Sequence, residues 1–299
     1  MADSRPADCA TIDGVYRPLV LLAVAATLFG TTGTARALGA PDAPSLGVGS
    51  ARLIIGGALL VGWMLATRAP RAGLAVRRVL VTGVLIATYQ LAFFAALDRA
   101  GVAVGTIVTI GSGPLFAGVL GRLFGEPWPD RRWAVATLLA IIGGALIVGP
   151  SGGAPPLGVA LALLSGVGYA GYAVTSKTML SRGASPAAVA GASFGTAAIL
   201  LVPVLLASSP GWVASPGGLA TALYLGAIPT ALAYVLFFRG LARTGTATAT
   251  TIVLLEPVVA AVLGVAVLGE QPSILTVLGC GLVLAALLVV ATRRSDQRG

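Results

Sequence analysis

Glu256 is the one acidic side chain well inside a long apolar run of this chain, and a buried carboxylate can do two kinds of chemistry: bind a proton or pair with a cation. Its run spans residues 246–268, and a helical rise of about 1.5 Å per residue puts Glu256 roughly 15 Å from the start. If the run crosses a bilayer, that is close to the midplane, where an ionised side chain costs on the order of 2.5 to 3.5 kcal/mol and must face a cavity or a partner. Glu256 is therefore a candidate for proton coupling, loaded in one conformational state and emptied in another. The competing reading is structural, a hydrogen bond to a neighbouring helix beside a kink at Pro257.

Arg52 lies early in another apolar run, about 9 Å in by the same rise. It can act as the counter-charge to Glu256, attract an anionic group of a substrate, or simply snorkel to the headgroups. Pro114 and Pro257 each interrupt a run. A proline there frees a carbonyl and bends the helix, which lipid tolerates only where protein or a water-filled cavity answers the loose group, unless the kink serves packing alone. Tyr89, Gln90, Thr106, Ser112, Tyr169, Tyr172, Tyr234 and Thr250 complete the candidate pathway, as polar or aromatic groups that orient a ligand in an apolar pocket or join helices to each other.

Other chemistry is poorly supplied. The 299 residues contain no histidine, and the two cysteines, Cys9 and Cys280, offer neither a disulfide framework nor a CxxC metal spacing. Gly191, Ser193 and Gly195 fit GxSxG, but within a helical run and without a histidine base. No phosphate-binding GxxxxGK[ST] run occurs, and one interior acid is too few for an aspartyl protease pair. We expect no catalysis, no cofactor and no metal.

The elements that must position these groups are membrane helices. The chain is 57% hydrophobic and 10% charged, with a mean hydropathy of +0.97, whereas soluble domains carry about 25% charged residues. Ten apolar runs reach spanning length: roughly 18–38, 46–67, 79–97, 101–121, 132–149, 156–177, 187–207, 218–238, 246–268 and 274–292. The net charge of +9 is topological and does not call for nucleic acid. With both termini in the cytoplasm, sixteen of the nineteen basic residues fall inside, leaving Arg36, Arg52 and Arg99 toward the outside. The first run follows Arg17 and ends near Ala35-Arg36-Ala37, like a signal peptide. Gly30, Gly33 and Ala35, however, recur at the same spacing as Gly168, Gly171 and Ala173, so we read it as a true span.

The chain repeats itself. Phe93, Phe94, Leu97, Arg99 and Gly101 return as Phe237, Phe238, Leu241, Arg243 and Gly245; Pro114 followed by Gly125-Glu126 returns as Pro257 followed by Gly269-Glu270. Five spans per copy is an odd number, so the halves enter the membrane in opposite senses, the build of many secondary transporters. The Phe pairs then lie near opposite faces, as gates or as interfacial aromatic belts, and Glu126 and Glu270 are expected at the N-termini of the helices that follow them.

Phe29-Gly30, Arg52, Leu255-Glu256-Pro257, Gly269-Glu270 and the paired five-span halves resemble the EamA-type members of the drug/metabolite transporter superfamily, over about residues 16–293. The family often has Trp where Phe29 stands, and the first half has Ser112-Gly113-Pro114 where a Glu-Pro pair is expected. The resemblance implies an all-α integral membrane protein of ten helices in two inverted five-helix repeats, exporting a small organic metabolite, a drug-like compound or an amino acid by alternating access. The expected organisation is a cytoplasmic segment 1–17, repeats 18–149 and 156–292, and a cytoplasmic tail 293–299, in the inner membrane, with a solute, lipid and protons as partners. An uncoupled or exchange-type carrier of the same fold remains open, as does a non-transporting scaffold or receptor. Single cysteines at 99 and 243 should react with impermeant maleimide from opposite sides of a sealed vesicle; labelling of both from one side would overturn the inversion.

Overall fold

A computed structural model of the protein describes residues 7–149 and 155–292, so part of the expected cytoplasmic segment and all of the tail lie outside the described residues. Ten helices among them are long and apolar enough to cross a membrane: Tyr16–Gly39, Ser45–Ala66, Val76–Gly101, Val104–Leu123, Arg131–Val148, Pro156–Ser181, Pro186–Ala207, Pro216–Ala242, Thr246–Leu268 and Ile274–Ala291. Each overlays one of the apolar runs. The helix of the first span already begins at Ala7, inside the segment 1–17 expected to precede the first repeat, and passes through Pro18.

Local chemistry explains where the spans begin. Pro156, Pro186 and Pro216 open the sixth, seventh and eighth, where a missing N–H costs nothing. Asp130 accepts the Trp133 N–H at 2.8 Å, and Ser185 and Ser215 accept those of Ala188 and Gly218, so each helix gains a side-chain cap. The third and fourth spans form one helix, Val76–Leu123, broken at Gly101 by a φ of 79° and ψ of 159° that only glycine adopts without strain. Its counterpart Gly245 lies in an extended turn with φ −65°. Because Asp130 caps the fifth span, Glu126 is free for another partner. It does not sit on the following helix as expected; its carboxylate crosses to the ninth span, accepting the Thr246 N–H at 2.8 Å and bonding the Thr246 hydroxyl.

The two halves interlock as an inverted pair. The second span packs on the seventh and the fifth on the tenth, while the sixth lies along the third and fourth as the first lies along the eighth and ninth. Exchanging every span for the one five places away maps this set onto itself, as a two-fold relation between antiparallel repeats requires. At the fifth–tenth crossing, Gly143 and Gly279 face each other so closely that a Cβ built on either would strike the other's carbonyl oxygen. In lipid such backbone approach replaces hydrophobic driving force as the source of helix attachment. Gly279→Ala should therefore lower stability by about 1–3 kcal/mol, read as an earlier melting transition of the purified protein. Gly281→Ala, where nothing lies within 4 Å, should leave melting unchanged.

Candidate functional site

Between the repeats lies a cavity to which spans of both contribute. Phe29 and Thr32 come from the first span, Arg52 from the second, Tyr89 from the third, and Thr109 and Ile110 from the fourth. Tyr169 from the sixth, Tyr234 from the eighth, and Val253 and Glu256 from the ninth close the other side. Its volume is about 30 Å3, room for a few waters, whereas pockets for small ligands run to about 300–1,000 Å3. The cavity as it stands is thus smaller than a bound metabolite requires.

The ninth span breaks at this cavity. Helix Thr246–Val253 ends, Leu254 and Leu255 form a tight turn, and a second helix runs Glu256–Leu268. Pro257 is the local cause, since it has no N–H to give the Val253 carbonyl one turn back. Glu256 stands in the first turn of the second helix, at the end whose dipole favours negative charge. The first span comes close to this turn because position 30 is glycine: a Cβ there would lie 2.8 Å from the Glu256 carbonyl oxygen. Where the first repeat departs from the Glu-Pro pattern, Gly113 leaves the space that the Tyr169 ring fills, 2.6 Å from an added Cβ.

Arg52 and Glu256 interact electrostatically across the cavity, without an ion pair among the described residues. Arg52 Nε and the Tyr169 hydroxyl are buried and have no hydrogen-bond partner in the protein. An orphaned buried donor costs about 1–3 kcal/mol, so both are suited to an acceptor brought in from outside. The remaining wall is aromatic. Tyr234 packs 5.0 Å from Phe29 and 4.2 Å from Phe194, centroid to centroid, and Tyr89 lies 5.7 Å from Tyr169.

Of the twelve residues singled out in the sequence, Arg52, Tyr89, Tyr169, Tyr234 and Glu256 line the cavity together. Tyr172 stands behind the wall, its hydroxyl 3.3 Å from that of Tyr234. Gln90 is buried against Gly49 of the second span, away from the cavity lining. Ser112 donates to the Thr109 carbonyl and packs on Gly166. Thr250 turns back onto the Thr246 and Ala247 carbonyls; Thr106, Pro114 and Pro257 are outside the lining. The second Phe pair is no interfacial belt: Phe237 and Phe238 are fully buried in a cluster with Tyr172, Tyr234 and Phe194. Ser193 of the GxSxG match is buried inside a helix.

Sequence reasoning missed Phe29, Thr32, Thr109, Ile110 and Val253 as cavity residues. Thr109 was within reach, midway between Thr106 and Ser112 at three-residue spacing on one helix face. It also missed the widened turns over Ala227–Leu232, for which Pro229 was the available signal.

Comparison with known proteins agrees with this architecture. The EamA-like transporter family matches twice, over residues 17–149 and 156–292. The "Uncharacterized transporter YwfM" of Bacillus subtilis (strain 168) is 37% identical over 287 residues, covering 95% of this chain and 96% of its own. A "Probable terminal-alkyne amino-acid exporter" of Streptantibioticus cattleyicolor is 28% identical over 244 residues, covering 78% and 79%. A crystal structure of a protein 21% identical in sequence superimposes with a TM-score of 0.79 over 94% of this chain and 99% of the other, which establishes the shared fold. A multi-pass membrane protein of ten spans in two inverted five-helix repeats, the chain belongs to the EamA-like transporter family.

Proposed function

We propose that this protein is a secondary-active exporter of small zwitterionic metabolites, amino acids above all, working by alternating access in the inner membrane with both termini in the cytoplasm. The observation that carries the reading is the cavity's chemistry: an unpartnered guanidinium N–H and tyrosine hydroxyl, a carboxylate across from them, and an aromatic wall between. An α-carboxylate answers Arg52 and Tyr169, an ammonium answers Glu256, and an apolar side chain lies against Phe29, Tyr89 and Tyr234. The relative named an amino-acid exporter supports the same solute class. Sixteen of nineteen basic residues on one side support the orientation.

Glu256 is the coupling residue in this scheme. When the cavity opens to the side of higher proton concentration the carboxylate is loaded, and the solute's ammonium displaces that proton on the other side. Two occupants competing for one carboxylate make export and proton entry obligatory partners.

Purified protein in sealed vesicles tests this with labelled apolar amino acids under an imposed proton gradient. Wild type should show flux that follows the gradient, and Glu256→Gln should keep binding measurable while abolishing the pH dependence. Proton-driven flux unchanged in Glu256→Gln removes the coupling role, and pH-independent flux in wild type leaves an exchange-type carrier. Arg52→Ala should raise the amino-acid concentration for half-maximal flux about 10- to 100-fold, the worth of a hydrogen bond to a charged group. Amines lacking the carboxylate should be indifferent to that change.

A further inference from the structure

The two glutamates that close the fourth and ninth spans are related by the repeat but differently engaged. A single offset of 144 residues carries Gly101 to Gly245, residue 102 to Thr246, Thr106 to Thr250 and Glu126 to Glu270. Glu126 holds the N-terminus of the ninth span through the Thr246 N–H and hydroxyl. Glu270 is exposed, and its carboxylate lies over Gly264 of its own span, away from the start of the fourth. The threonines one turn inward follow the same difference: Thr250 is completely buried, while Thr106 is only half-buried.

We infer that Glu126 and Glu270 are alternating latches, each closing one side of the site by capping the first turn of the other repeat's broken helix, with the Glu126 latch shut in this structure. The physics favours such a device. The exposed N–H groups of a helix start need an acceptor, and a carboxylate is the strongest that a side chain supplies. When the repeats exchange conformations, Glu126 leaves Thr246 and Glu270 takes the backbone N–H at residue 102, so one carboxylate bond to a helix-start N–H is kept in either state, while the valine at 102 offers no counterpart to the Thr246 hydroxyl.

The first latch is reinforced. Trp133 Nε1 donates to the Thr251 hydroxyl at 3.0 Å and the Thr137 hydroxyl lies 3.0 Å from the same atom, fixing the fifth span to the ninth. The offset turns these three positions into Val277, Gly281 and Ile107, which offer no such bonds. The Glu126 side is therefore the one that rests closed.

This inference depends on the alternating-access reading but is tested without a solute. Single cysteines replace Thr106 or Thr250 in a Cys9→Ser, Cys280→Ser background, and the rate of labelling by impermeant maleimide is measured in nanodiscs. Glu126→Ala should raise labelling at 250 about tenfold, as expected for losing a charged hydrogen bond, and lower it at 106. Glu270→Ala should lower labelling at 250 and leave or raise it at 106. Thr246→Val, which keeps the backbone bond, should give a smaller rise at 250 and stands in if Glu126→Ala does not yield folded protein. Labelling at 250 unchanged by Glu126→Ala and Thr246→Val, or both glutamate variants moving both positions in one direction, overturns the latches. A carrier whose flux persists under that result keeps its proposed function and loses only this gating.

Discussion

Hydrocarbon offers a peptide group no hydrogen bond, and that single constraint decides where this chain is allowed to be irregular. Each loose N–H or carbonyl at membrane depth must be answered by protein or by a polar cavity. The breaks at Leu254–Leu255, the widened turns of Ala227–Leu232 and the kink at Gly101 are departures from regular helix in the eighth and ninth spans and between the third and fourth. Two of them bring cavity residues with them: Val253 and Glu256 flank the first, and Tyr234 follows the second. The site is thus sited by backbone defects as much as by side chains, and the polar residues gather where the backbone already required polarity.

Most of the architecture was written in composition and repetition. Ten apolar runs became ten helices because runs of that length and hydrophobicity have no other low-energy form in a bilayer. The duplicated Phe-Phe and Gly-Glu patterns disclosed the repeat by their order and spacing, although the copies are engaged differently: Glu126 crosses to Thr246 while Glu270 lies over Gly264 of its own span. The site was legible only in part. Glu256 and Arg52 were visible as misplaced charges, and the tyrosines as misplaced hydroxyls, but a helix presents several faces and the sequence does not say which one meets the other repeat. Gln90 and Tyr89 are adjacent, so one turns to the cavity and the other to Gly49. Glu126 was misassigned for a related reason. A cap can be provided by any carboxylate within reach, and Asp130, closer to the fifth span, took that role first.

The glycines show how attachment works here. Gly143 and Gly279 meet backbone to backbone where the fifth and tenth spans cross, and Gly30 brings the first span down onto the turn that carries Glu256. Small residues thus set both the join between repeats and the approach of the first span to the turn at Glu256. Lys177 adds a polar version of the same economy, donating to the Leu241 and Ala242 carbonyls at 2.9 and 3.1 Å and so holding the C-terminus of the eighth span just before the turn at Gly245.

Gly113 has a quantitative implication. By giving its side-chain space to Tyr169, the first repeat forgoes the carboxylate that would mirror Glu256, and a duplicated machine keeps one acid where symmetry would have offered two. In the proposed proton-coupled cycle, a lone interior acid sets a ceiling of one proton per turnover on any stoichiometry routed through side chains. Each pH unit across the membrane then sustains about a tenfold solute gradient at most, with the electrical potential adding its own share for a single charge.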